Sequence, residues 1–153
     1  MAKKNKDTCL SCNEARRRND VRSCRILIVV AGEIWLSPCA CLKAFAFDQR
    51  FERKDAHDLI YCIEHAPDGL DSAAAAFREA AAGKHGAVIR ESLLILRRRF
   101  TSEHDLEGYR KDGPVAVAIF ERGEGTEPEL REARLLRQRE VSGLVERLLA
   151  LIG

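Results

Sequence analysis

Between Ser37 and Ile152 the apolar residues recur at spacings of three and four, in segments separated by turn residues, and that rhythm restricts the chain to helices packed on one another. Leu59, Ile63 and Ala66, with Ile60 beside them, line one face of a helix predicted over 54–66. Pro67-Asp68-Gly69 closes it with turn chemistry, and Asp71-Ser72 precedes an alanine-rich helix to about Ala82 with Gly83 as its cap. A helix over 87–100 buries Ile89, Leu93, Leu96 and Phe100, and ends on Arg97, Arg98 and Arg99, where cations suit the helix dipole.

Upstream, Ser37-Pro38 predicts the start of a helix to about Phe47, with Leu42, Phe45 and Ala46 inward. Downstream, Gly113-Pro114 precedes a short apolar helix over 115–120, and Thr126 with Glu129 spells a capping box for a last helix ending near Ile152. Its stripe is Leu130, Ala133, Val141, Leu144, Val145, Leu148 and Ile152, with Arg131, Arg134, Arg137 and Arg139 among acidic residues elsewhere. Residues 25–36, by contrast, read as extended, broken at Ala31-Gly32. The fold expected is α+β but mostly α: a short β edge at 25–36 followed by a bundle of five or six helices.

Length and charge set the remaining bounds. At 153 residues the chain suits one domain with a real core. The first 25 residues carry eight Lys or Arg against three Asp or Glu, whereas the whole chain sums to only +2. Residues 1–24 are therefore expected to be a solvated, disordered basic arm, with 25–153 forming the domain. No apolar run approaches the ~20 residues of a membrane span, and no apolar stretch follows Lys3, Lys4 and Lys6 as a secretory signal requires. The expectation is a cytoplasmic protein without a membrane partner, its thiols reduced.

The densest polar constellation is Lys43-Ala-Phe-Ala-Phe-Asp-Gln-Arg-Phe-Glu-Arg-Lys-Asp-Ala-His-Asp58, at the junction of two predicted helices. Asp55 and Asp58 share a helix face, and Lys54 stands four residues before Asp58, within ion-pair reach. One reading is an acidic first turn on a helix dipole; the other has Lys43, Arg50 and Lys54 converging on a polyanion, with Asp55 or Asp58 orienting them or accepting a proton.

This segment resembles the helix pair that follows the catalytic sheet in AbiEii-like nucleotidyltransferases, the toxins of type IV toxin–antitoxin and abortive-infection systems. The shared pattern is a lysine on one helix, an arginine, then Lys-Asp-x-x-Asp-Leu opening the next; here these are Lys43, Arg50 and Lys54-Asp55-Ala56-His57-Asp58-Leu59. The likeness extends, more loosely, through Gly113-Pro114-Val115 and the closing helix. It implies a nucleoside triphosphate and transfer RNA as ligands, Lys43, Arg50 and Lys54 as nucleotide-binding residues, Asp55 and Asp58 as catalytic ones, and an antitoxin as partner.

The family's Gly-Ser followed by Asp-x-Asp is not in this sequence. Nucleotidyl transfer needs such carboxylates to hold divalent ions. The resemblance thus implies a truncated relative, inactive alone, which takes Mg2+ only when an N-terminal catalytic half completes it.

Cysteines suggest a different reading. Cys9-x-x-Cys12 is a zinc half-site, but Cys39-x-Cys41 is a poor second pair, because neighbours two apart on a helix diverge. Cys62 and His65, with Asp58 one turn before Cys62, make a further nominal metal face. The alternative function is accordingly a nonenzymatic nucleic-acid- or protein-binding domain with a basic, zinc-stabilised arm. Unliganded cysteines are the plainer reading, with redox chemistry behind it.

Overall fold

A computed structural model describes residues 36–104 and 106–153. The basic arm, Cys9 and Cys12, and all of the anticipated β edge except Leu36 lie outside the described residues. Among the latter there are six α-helices and no strand: α1 (Leu36–Arg50), α2 (Arg53–Glu64), α3 (Gly69–Ala82), α4 (Gly86–Phe100), α5 (Asp112–Arg122) and α6 (Pro128–Ile152), with a 3-10 turn at Gly108–Arg110 before α5. The helical bundle is as the periodicity predicts. Leu36, expected to end an extended piece, instead opens α1 and is buried, with Pro38 in the first turn where its missing N–H is harmless.

Helix α1 buries a different face from the one expected. Ala40, Cys41, Ala44 and Phe47 point inward, while Leu42 is 71% exposed. Alanine on the buried face lets neighbouring helices approach closely, and α2 and α4 both pack there. Phe47 supplies the volume, its ring centroid 5.9 Å from that of Phe100 on α4. Cys41 Sγ lies 2.9 Å from Ser92 Oγ, and Asp48 meets Arg98 and Arg99, so α1 and α4 run parallel.

Only Phe51 and Glu52 separate α1 from α2, and Phe51 makes the reversal by adopting φ 56°, a left-handed conformation that side chains other than glycine rarely take. Its ring is held on one side by Phe47 at 5.9 Å and on the other by the Arg99 guanidinium, 4.5 Å from the centroid. The last-turn arginines of α4 therefore do more than meet the helix dipole. Arg98 and Arg99 clamp Asp48, and the side chain of Lys111 donates to the carbonyl of Arg98.

Helix α2 buries Leu59, Ile60 and Ile63, as its spacing predicts, and Ala56 as well; it ends at Glu64, so Ala66, also expected on this face, is buried beyond the helix. Asp68 in the left-handed region and Gly69 at φ 86° turn the chain into α3, which begins two residues before Asp71 and buries Ala73, Ala74 and Phe77. Helix α5 starts at Asp112 rather than Val115, so Gly113 and Pro114 occupy its first turn. Gly113 is required there: a Cβ would stand 2.5 Å from the ring of Phe100. The capping box of Thr126 and Glu129 does not form; Glu127 is the N-cap and Pro128 fixes the first turn by its φ alone. Within α6 the fully buried side chains, those of Val141, Val145 and Leu148, all lie in the second half. Each such buried aliphatic side chain contributes roughly 1.5–3 kcal/mol of transfer free energy.

Candidate functional site

The antiparallel pair α1 and α2 brings together all five residues of the Lys43-to-Asp58 pattern. Lys43 Nζ donates to Asp55 Oδ1 at 3.1 Å and to Asp58 Oδ2 at 2.7 Å. Arg50 Nη2 donates to Asp55 Oδ2 at 2.5 Å, and Lys54 Nζ to Asp58 Oδ2 at 2.8 Å. Both carboxylates are buried, whereas the cations reach outward: the side chain of Lys43 is 24% exposed, that of Lys54 38% and that of Arg50 56%.

The electrostatics follow from this inside-out order. Burial works against the Asp58 carboxylate, but contacts with His57, Lys43 and Lys54 more than reverse it and hold the carboxyl far below the usual aspartate range. Burial likewise works against the Lys43 ammonium, and Asp58 and Asp55 overcome it, raising its pKa. Three cations against two anions leave one positive charge in excess. Among described partners, Lys43 donates two of its three N–H groups to carboxylates, Lys54 one of three and Arg50 one of five, so the outward side retains donors.

The aspartates, by contrast, are occupied. Both oxygens of Asp55 and one of Asp58 accept from cations, and the second Asp58 oxygen is 3.6 Å from His57 Nδ1. A divalent ion here would have to displace a lysine. Among the described residues no group of three His, Cys, Asp or Glu side chains is placed to hold a metal. The residues present do not fit Mg2+, because both carboxylates are already taken up by cations. Nor is the Cys62–His65 face one: Cys62 turns toward Cys39, and His65 stacks on Tyr61 with its Nδ1 3.0 Å from the carbonyl of that residue.

His57, Glu64, Glu121 and Arg137, to which the sequence pattern assigns no role, extend the charged network. His57 packs on Phe120, centroids 4.6 Å apart, with its buried Nδ1 making no hydrogen bond to a described residue and its Nε2 3.8 Å from Glu121 Oε1. Glu121 belongs to a second cluster in which Arg137 of α6 grips Glu64 of α2 at 2.7 and 3.0 Å and Glu121 of α5 at 2.8 and 2.9 Å. Glu64 and Glu121 raise the Arg137 pKa against the opposing effect of burial. No local spacing could have flagged this contact, because Arg137 and Glu64 are 73 residues apart.

A groove of about 590 Å³ opens elsewhere, lined by Ser37 and by Ser72, Ala75, Ala76, Glu79, Ala80 and Gly83, with none of the five pattern residues on its wall. Its described walls carry small side chains and one carboxylate, with no cationic side chain among them. No helix among the described residues is long and apolar enough to cross a membrane. No family model, curated protein or solved structure matches the chain.

Proposed function

We propose that the α1–α2 junction binds the phosphates of a nucleoside triphosphate, as the helical half of an AbiEii-like nucleotidyltransferase of the toxin–antitoxin or phage-defence type. One observation carries the reading: Lys43, Arg50 and Lys54 converge on two buried carboxylates with a net positive charge and N–H groups still to give. Arg50 offers a fork that matches phosphate oxygens, and Lys54 a mobile point charge. In this reading Asp55 and Asp58 are positioning residues that hold the cations in register. The metal-binding carboxylates of the family pattern are missing from this sequence, so in this reading transfer to an acceptor such as transfer RNA requires a catalytic half beyond these residues.

Titration calorimetry with inorganic triphosphate and with each nucleoside triphosphate tests the site. Binding should weaken at least about tenfold in Arg50→Gln combined with Lys54→Gln, equivalent to about 1.4 kcal/mol. Absence of binding by the folded chain, or equal affinity in the double variant, would sink the proposal. Incubation with radiolabelled triphosphates, Mg2+ and total transfer RNA should leave the RNA unlabelled. RNA binding abolished by removing residues 1–24, with no triphosphate binding, would favour the nonenzymatic nucleic-acid-binding alternative.

A further inference from the structure

We propose that Cys39 and Cys62 are a peroxide-sensitive thiol pair that closes to a disulfide and locks α1 to α2. This inference is independent of the triphosphate reading. Cys39 lies on α1 one helical turn before Lys43, and Cys62 on α2 one turn after Asp58. Because the two helices are antiparallel, the thiols form the next rung of the ladder whose neighbouring rung is the 2.7 Å Lys43–Asp58 bond. The sulfurs are 3.8 Å apart, in van der Waals contact. Bonding at about 2.05 Å needs less than about 2 Å of approach, within what side-chain rotation and a small helix shift supply.

Exposure divides the roles. Cys39 is partly accessible and Cys62 is only 1% exposed, so peroxide reaches Cys39 first. The Cys39 sulfur attacks the peroxide, the O–O bond breaks, and Cys39 becomes a sulfenic acid as one water leaves. Cys62 sulfur then attacks the Cys39 sulfur, the S–O bond breaks, and the hydroxyl leaves as a second water with the Cys62 proton. Two thiols and one peroxide thus give one disulfide and two waters. Cys41 supplies an internal contrast: it is buried, bonded to Ser92 Oγ at 2.9 Å, and burial pushes its thiol pKa up, which suppresses the thiolate needed for reaction.

The test treats the folded full-length chain with one equivalent of hydrogen peroxide, alkylates the remaining thiols and maps the peptides by mass spectrometry. Fragmentation is needed for assignment, since Cys39 and Cys41 fall in one tryptic peptide. The expected result is a Cys39–Cys62 link as the main product, reversed by dithiothreitol, with Cys41 alkylated. In Cys62→Ser the link should vanish and a dimedone-type probe should label Cys39. Recovery of both thiols after the peroxide is consumed would overturn the proposal. So would a distribution of links equal to that of the chain oxidised in denaturant, or a dominant pairing of either cysteine with another.

Discussion

Two charged clusters meet helix α2, and they are built in opposite senses. At its start, two buried carboxylates are shared by three cations that point outward; at its end, one cation, Arg137, is shared by Glu64 and Glu121 and is itself only 13% exposed. In the second cluster four of the five guanidinium N–H groups are spent on Glu64 and Glu121, and the remaining one, on Nη1, has Glu140 3.5 Å from its nitrogen, so the arginine has little left to offer a ligand. In the first the satisfied groups are the anions. A cluster that leaves its donors at the surface can act on a visitor, whereas one that buries its donors can only join helices.

Removing a carboxylate from the first cluster should have the largest effect. Asp58→Ala leaves Lys43 partly buried with half its partners, and should destabilise the chain by about 3 kcal/mol in urea unfolding. Arg137→Ala should follow with a loss of about 2 kcal/mol, since Glu64 and Glu121 are part-exposed and water recovers some of the charge. If Arg137→Ala proves the more damaging of the two, the first cluster is the looser one.

Acid titration separates the clusters differently. The native Asp58 carboxyl titrates far below the ordinary aspartate value of about 3.9, so its contribution is complete above that value and disappears as pH falls toward the native one, where the unfolded chain takes up the proton first. Asp48, where burial is outweighed by Arg98 and Arg99, adds a loss of the same sign. Asp58→Asn should therefore flatten the acid limb of stability against pH, an effect read by urea midpoints from neutral pH to about pH 3. Arg137 stays charged throughout. At the small end, the Arg53–Glu124 pair, 48% and 66% exposed, marks the background: Glu124→Gln should change stability by less than about 0.5 kcal/mol.

What could be read from the sequence follows the range of the interaction. Helix α2, with Leu59, Ile60 and Ile63, and the core of α6, with Val141, Val145 and Leu148, were legible because their partners are simply the inside. The Lys43–Asp58 constellation was legible because a two-residue reversal folds its halves onto each other. Helix α1 misled: a stripe of large side chains suggested an inward Leu42, but close approach to α2 and α4 selected Ala40 and Ala44 for the interior. Arg137 looked like surface charge, since nothing near it in sequence announces Glu64 or Glu121. The start of α6 was misplaced because Pro128 fixes backbone geometry without the side-chain bond that a capping box supplies.

The reversal at Phe51 also sets an order of events. Lys43 and Asp58 are 15 residues apart, so their contact closes a short loop, whereas Arg137 must find Glu64 across 73 residues. Loop-closure entropy favours the helical hairpin in the folding nucleus and leaves the docking of α6 for the downhill side of the barrier. Losing Asp58 should then slow refolding, while losing Arg137 should mainly hasten unfolding, with the folding limb of the chevron almost unmoved. The α1–α2 cluster is in that case assembled before the rest of the bundle has closed around it.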